Sequence, residues 1–292
     1  MVKTISVALI GNPNTGKSSV FNTLTGLKQA IGNYPGVTVE KKIGNFEIDR
    51  TTNVQLIDLP GTYGLNTQSI DQSIVFDLLL NKNNKDFPDL VVVVADVENL
   101  KRNLLLFSQI KDLEIPTILL INMSDQLRYK GIEINLNKLE IELKTKVVLV
   151  SARKNQGFEI LKSEIKNYRN LSNKPAFDMN EIDPEYFSNL QKTFSGQSVY
   201  KLWLLITQDI NFSKLERNKI DDKGKFKTQT ESYLKKLQQR ETIKRYQSIN
   251  NLLKEAYVKD DKKATGLRSV IDRVLLHSVW GYLIFFSILL LI

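Results

Sequence analysis

"GNPNTGKSS", residues 11–19, is the stretch whose reading decides the fold of this chain. It follows an apolar run in which Ile5, Val7, Leu9 and Ile10 make a short, mostly buried strand, and it fulfils G-x-x-x-x-G-K-[ST] in full. The spacing has a physical reason. Gly16 and its neighbours let successive backbone N–H groups curl around a phosphate chain, Lys17 brings a point charge to the outer phosphates, and the Ser18 hydroxyl reaches Mg2+. The Lys-Ser pair opens a helix predicted over Lys17 to Leu24, where the mechanism needs it. Gly11, Asn12, Asn14, Thr15 and Ser19 complete the expected nucleotide contacts. The motif by itself implies a nucleoside triphosphate and leaves the base open.

Three further stretches select the base. "QLIDLPG" puts Asp58 at the end of an apolar strand, where a carboxylate can hold the Mg2+ water shell, and puts the Gly61 N–H within reach of the γ-phosphate. "TILLINMSD" runs through a buried strand to Asn122, Met123 and Asp125, and "VVLVSAR" runs to Ser151, Ala152 and Arg153. Both loops fall at strand C-terminal ends, where open α/β sheets bind ligands. The Asp125 carboxylate can accept two hydrogen bonds from guanine N1 and N2, whereas adenine presents the opposite pattern. GTP and GDP are therefore the expected ligands.

Between these motifs, apolar runs alternate with helical periodicity: strand Leu90 to Ala95, helix Asn99 to Asp112, strand Thr117 to Ile121, helix Asn135 to Leu143, strand Val147 to Val150, helix Gln156 to Tyr168. This order predicts an α/β fold with a doubly wound, mostly parallel sheet and helices on both faces. Composition sets the outer bounds. With 292 residues, 42% hydrophobic and 25% charged, two domains are expected. The absence of cysteine excludes a disulfide framework and thiolate metal sites. A net charge of +9 admits nucleic acid or anionic lipid. The lysines share helices with acids, as in Glu231 to Arg245, and form no basic stripe, so nucleic acid is not an expected partner.

On these residues, the region from 1 to about 170 resembles the G domain of the FeoB family of bacterial ferrous iron transport proteins, within the Ras-like P-loop GTPases. "IGNYPGVTVEKK" (31–42) looks like the family's first switch, "DLPGTYGL" (58–65) its second, and "ENLKRNLLL" (98–106) its third helix. "NMSD", with methionine where lysine is commoner, also looks like the family. The resemblance implies that Thr38 closes over the γ-phosphate and completes the Mg2+ shell with Ser18 and Asp58. It also implies that Asn14 coordinates K+ against the phosphates, with the carbonyls of Gly32 and Tyr34 completing the cage. Such a cation would neutralise developing charge as an arginine finger does. Asn14 also suits an Asx turn after Pro13. The catalytic set is then Asn14, Lys17, Thr38 and Gly61. Where Ras-like enzymes carry a water-orienting glutamine this chain has Thr62 followed by Tyr63, so slow turnover is expected, nearer the unassisted scale of about 10^-4 to 10^-3 per second.

Past Tyr168, "RNLSNKPAFDMNEIDPE" reads as a polar linker containing Pro175 and Pro184. Beyond it, "SVYKLWLLITQDI" and an amphipathic stretch with Ile243, Tyr246, Ile249, Leu253 and Ala256 predict a small all-α domain. Trp203 and Tyr246 are expected to pack between its helices. "RYQSINNLL" and "IDRVLLHSVWGYLIF" resemble the family's helical domain and the start of its first membrane helix. The expected division is 1–170 G domain, 171–265 helical domain resembling a nucleotide dissociation inhibitor, and 266–292 juxtamembrane segment with a truncated membrane helix. The final apolar run from Val279 is about 14 residues, or about 21 Å as helix, short of the about 30 Å and about 20 residues that a bilayer core needs. Lys262, Lys263, Arg268 and Arg273 precede it, which by the positive-inside rule keeps the GTPase on the cytoplasmic face of a bacterial inner membrane. Trp280 suits an interfacial anchor, and His277 reads as a packing or interfacial residue. The expected partners are a permease part of the same protein and the lipid bilayer, with homo-oligomerisation left open. Two alternatives stand beside this reading: a ribosome-assembly GTPase of the Era or EngA type, and a tail-anchored GTP-binding scaffold.

Overall fold

The computed structural model describes residues 3–27, 29–33, 40–65, 70–207, 231–260, 263–265, 275 and 279–291. Strands β1 (Lys3–Gly11), β2 (Gln29–Asn33), β3 (Glu40–Asp49), β4 (Thr52–Asp58), β5 (Leu90–Asp96), β6 (Thr117–Asn122) and β8 (Val147–Leu149) form one sheet in the order β2-β3-β4-β1-β5-β6-β8. From β4 through β8 every neighbouring pair is parallel; β2 and β3 add an antiparallel edge. All seven residues of β5 and all six of β6 are buried, as strands covered on both faces require.

Alternation along the strands divides the core into two layers. Ile5, Val7, Leu9, Val92 and Val94 face α1 (Lys17–Thr25) and α6 (Phe158–Lys166). Ala8, Ile10, Val91, Val93 and Ala95 face the other way, in the cluster that takes in α2 (Ile70–Leu80), α3 (Leu100–Lys111) and α5 (Leu136–Leu143). The doubly wound expectation is met, with the predicted helix ends falling within two residues of the observed ones. The antiparallel edge and α2 were not foreseen from the sequence. The β3 segment buries only two of its ten residues, and α2 is apolar without a one-sided stripe.

The segment expected as a linker is instead packed. Phe177, Met179 and Ile182 are buried, and the Ala176 and Phe177 amides donate to Asp112 Oδ1 at 2.7 and 3.1 Å. Pro184 begins α7 (Pro184–Thr193), where its missing N–H costs nothing, and Asp183 caps that helix by accepting from Tyr186 N at 3.0 Å. Then come α8 (Val199–Thr207) and the 26-residue α9 (Glu231–Ala256), which lies against α3 and α5. These helices join the cluster on the α3 face of the sheet, so the helical part and the nucleotide-fold part share one core. Trp203 is fully buried, as expected of packing.

The periodicity assigned to α9 needs correction. Ile243 is 57% exposed, and the buried stripe runs through Leu237, Glu241, Arg245, Ile249 and Ala256 at steps of four and seven. Two of those five side chains are charged, which hides the stripe from a hydrophobicity pattern. After α9 the chain forms β9 (Tyr257–Lys259), antiparallel to β7 (Ile132–Ile134), in a second, two-stranded sheet that no sequence signal announced. β7 follows the short α4 (Gln126–Lys130). The apolar tail forms α10 (Trp280–Leu291), with Tyr282, Leu283, Phe286 and Leu290 exposed. Among the described residues no helix is long and apolar enough to cross a membrane. His277, Lys262, Arg268 and Arg273 lie outside the described residues.

Candidate functional site

The phosphate loop leaves β1 at Gly11, whose Cα packs so closely on the Val94 carbonyl of β5 that a side chain would collide with it. The loop is braced internally by Thr15, whose hydroxyl donates to Asn12 O at 2.9 Å. Gly16 caps α1 in the left-handed region, at φ +78°, and a Cβ there would strike the Asn122 amide. Asn14 is also left-handed, at φ +68°, a conformation asparagine tolerates, and is exposed on the loop beside the equally exposed Ser18 and Ser19. Asn12 is 2% exposed, and neither polar atom of its side chain has a hydrogen-bond partner among the described residues.

Parallel pairing of β1 with β4 sets Leu9 opposite Asp58 and so delivers the carboxylate to the loop. Lys17 Nζ forms an ion pair with Asp58 Oδ1, with both side chains largely buried. The following turn is stitched to β1: Leu59 N donates to Leu9 O at 2.9 Å and Thr62 N to Gly11 O at 3.2 Å. Gly61 consequently lies against Pro13, where a Cβ would sit 3.4 Å from the Pro13 nitrogen. Thr62 is buried, and its hydroxyl donates to Gly64 O at 2.8 Å.

Two side chains of α3 hold the far end of this turn. Leu65 N donates to Gln109 Oε1 at 2.8 Å, and the Arg102 guanidinium lies 3.8 Å from the centre of the Tyr63 ring. Sequence reasoning missed both residues, because a glutamine and an arginine on a helix read as solvated.

The base loops converge on the same edge of the sheet. Asn122, at the end of β6, donates from Nδ2 to Thr15 O at 3.0 Å and accepts from Ala152 N at 3.1 Å. One side chain thereby locks the phosphate loop to the Ser151–Arg153 loop. Met123 takes a left-handed φ of 64°, which turns the chain so that Ser124 N bonds Val150 O at 3.0 Å and Asp125 comes beside Ser151. The Ser151 hydroxyl donates to Asp125 Oδ1 at 2.6 Å and accepts from Lys154 N at 3.2 Å. Asp125 keeps further acceptor capacity, since a carboxylate offers about four lone-pair sites. Arg153 is exposed. Gly11, Asn12, Asn14, Thr15, Gly16, Lys17, Asp58, Gly61, Asn122, Asp125, Ser151 and Ala152 therefore meet at the strand C-terminal ends. Gly32 lies in β2, paired with Lys41, while Tyr34 and Thr38 fall outside the described residues.

The sequence profile of the ferrous iron transport protein B family matches residues 5–165. The Fe(2+) transporter FeoB of Leptospira biflexa is 30% identical over 302 residues, covering 99% of this chain and 43% of that protein. FeoB of Staphylococcus aureus strain MSSA476 is 33% identical, covering 97% of this chain and 43% of that protein. The chain thus spans less than half the length of these relatives. Among solved structures, the cytosolic domain of the T. maritima FeoB iron transporter in a GDP form superposes with a TM-score of 0.76 at 31% identity, covering 88% of this chain and 100% of that one. Its GMPPNP form gives 0.75 at 32% identity, covering 89% and 100%.

Proposed function

The chain belongs to the ferrous iron transport protein B family, and on that premise we propose that it is the GTP-binding and GTP-hydrolysing regulatory region of a bacterial Fe2+ transporter, working at the cytoplasmic face of the inner membrane. The observation that carries the nucleotide assignment is the Asn122 side chain, which ties the phosphate loop and the Ala152 loop into one cradle and leaves Asp125 beside it. The GDP and GMPPNP forms of the T. maritima relative support the same ligand class. Neither the ribosome-assembly reading nor the tail-anchored scaffold is favoured by these relatives.

In this reading Lys17 and Asp58, paired with each other here, would exchange partners when GTP binds: Lys17 would turn to the outer phosphates and Asp58 would offer its carboxylate to a metal. Ser18, Asp58 and Thr38 offer oxygen donors, the chemistry Mg2+ requires. Asn14, with its exposed amide, and the carbonyls of Gly32 and Tyr34 are the proposed K+ ligands. Bound there, the two cations would neutralise charge on the phosphates. The backbone N–H of Gly61, held against Pro13, senses the γ-phosphate. Asp125 and Ser151 select guanine. Thr62, buried and engaged with Gly64, stands where a water-orienting glutamine is absent, so turnover stays near the unassisted scale of about 10^-4 to 10^-3 per second. Residues 1–170 form the G domain, 171–265 the helical domain that carries the nucleotide state onward, and 266–292 lead to the membrane-embedded permease of the same protein.

GTP and ATP hydrolysis measured in KCl and in NaCl tests the proposal. Expected are hydrolysis of GTP alone, a faster rate in KCl, and loss of that salt difference in Asn14→Ala. Equal rates in both salts remove potassium, and hydrolysis of ATP at the GTP rate removes the guanine assignment. For the transport role, cells carrying the full-length protein with Lys17→Ala should lose ferrous iron uptake; undiminished uptake would separate the GTPase from transport.

A further inference from the structure

One turn of α3 faces two parts of the molecule at once. Gln109 accepts the Leu65 amide of the second switch, as described above. The neighbouring residues on the next face of the helix, Ser108 and Asp112, accept from Nη1 of Arg245 on α9 at 3.2 and 2.6 Å. Arg245 is 1% exposed; its Nε donates to Glu241 Oε1 at 2.8 Å, and Glu241 Oε2 accepts from Trp203 Nε1 at 2.8 Å. Its guanidinium lies 4.6 Å from the Tyr200 ring centre and 4.9 Å from that of Phe177. Asp112 gathers further contacts of the helical part: the Ala176 and Phe177 amides on Oδ1, and the Ser198 hydroxyl on its backbone carbonyl at 2.7 Å.

Such a cluster is expensive. Two carboxylates and a guanidinium in a dry interior recover their desolvation only through good geometry, and apolar residues of equal volume often pack as stably. Burial raises the Asp112 carboxyl above its ordinary range, with Arg245 and the two amides offsetting part of the rise. Stability alone is therefore a weak reason for ions here. Fixing one arrangement of α3 relative to α9 is a better one, and that turn is the one on which the second switch rests.

We infer that Arg245 is a positioning residue for GTP hydrolysis: through Ser108 and Asp112 it sets the last turn of α3, and through Gln109 that turn sets the Thr62–Leu65 end of the second switch. This rests on the proposed GTPase reading. The helical part then acts on nucleotide turnover through a connection of four side chains, and the second switch acts back on the helical part by the same route, as linkage requires.

The test is a double-mutant cycle on the whole chain, with Gln109→Met removing the acceptor and Arg245→Lys keeping the charge while losing the planar fork. Each single variant is expected to lower kcat for GTP by about fivefold, with KM and GDP affinity changed less than about twofold. The double variant should lose little more than either single one, because both act on one turn. Amide exchange at Leu65 should quicken in both single variants, including Arg245→Lys, which does not touch that amide. Additive losses, or an unchanged Leu65 amide in a folded Arg245→Lys, would overturn the inference. Should Arg245→Lys fail to fold, the neutral triple Asp112→Asn, Glu241→Gln, Arg245→Met takes its place with the same expected results. A wild-type chain that hydrolyses no GTP refutes the functional reading itself, and that outcome is distinct from normal wild-type turnover with unaffected variants.

Discussion

Asp125→Asn is the substitution that bears most directly on what the site reads. In the structure Asp125 Oδ1 already accepts the Ser151 hydroxyl at 2.6 Å, and among the described residues Oδ2 has only a long contact of 3.3 Å from Gln126 Nε2. The remaining lone pairs are the ones available to the guanine N1–H and N2–H donors. Asparagine keeps one acceptor, which Ser151 can still use, and replaces the other with an NH2 that meets a donor of the base. Two hydrogen bonds to a charged group are lost, each worth about 1.5–3 kcal/mol, so GDP affinity should fall by about 3–6 kcal/mol, or about two to four orders of magnitude in Kd. Xanthine carries a carbonyl where guanine carries the amino group, so the new NH2 has a partner there. Titration of wild type and variant with GDP and xanthosine diphosphate reads both arms. Expected are a large loss for GDP and a gain for the xanthosine nucleotide. A variant that binds GDP within about threefold of wild type would mean that Asp125 does not face the base, since the loss of even one such bond exceeds that.

Three further outcomes follow from other parts of the molecule. Asp112→Asn leaves the Arg245 guanidinium facing an amide donor in a buried site and should cost about 3–5 kcal/mol in urea unfolding followed by Trp203 fluorescence, with the neutral triple Asp112→Asn, Glu241→Gln, Arg245→Met restoring much of it; a loss under about 1 kcal/mol would mean the pair is not buried as described. Gly16→Ala puts a Cβ into the Asn122 amide at a left-handed position and should weaken nucleotide binding at least about tenfold while unlocking the Thr15–Asn122 bond, detectable as faster exchange of the Ala152 amide. Burial pushes the Lys111 ammonium, bonded to Ser172 O, down to about 8. The unfolded chain, with an ordinary lysine near about 10.4, therefore binds more protons above pH 8, so this residue makes stability rise as pH climbs from about 8 to about 10. Lys111→Met should flatten that part of the stability profile, and a parallel profile in wild type and variant would refute the shift.

The nucleotide cradle and the sheet were legible in the sequence because their determinants are local. A phosphate chain is held by consecutive backbone N–H groups, so Gly11, Gly16, Lys17 and Ser18 must be close in the chain, and a parallel strand buried on both faces must be an unbroken apolar run, as β5 and β6 are. The two base loops could be placed because each ends such a run. The α9 helix was legible as a helix and its buried side only in part: Ile249 and Ala256 lie on it, but hydrophobicity also selected Ile243, which is exposed, and passed over Glu241 and Arg245. Everything that joins the parts was decided by tertiary structure. The Gln109–Leu65 bond spans 44 residues, and the Arg245–Asp112 bond spans 133. The side chains involved are polar, and a sequence gives such residues to solvent unless something shows them a partner. Only folding brings a guanidinium from α9, a carboxylate from α3 and the amides of a supposed linker into one water-free place, where their mutual hydrogen bonds repay the loss of water.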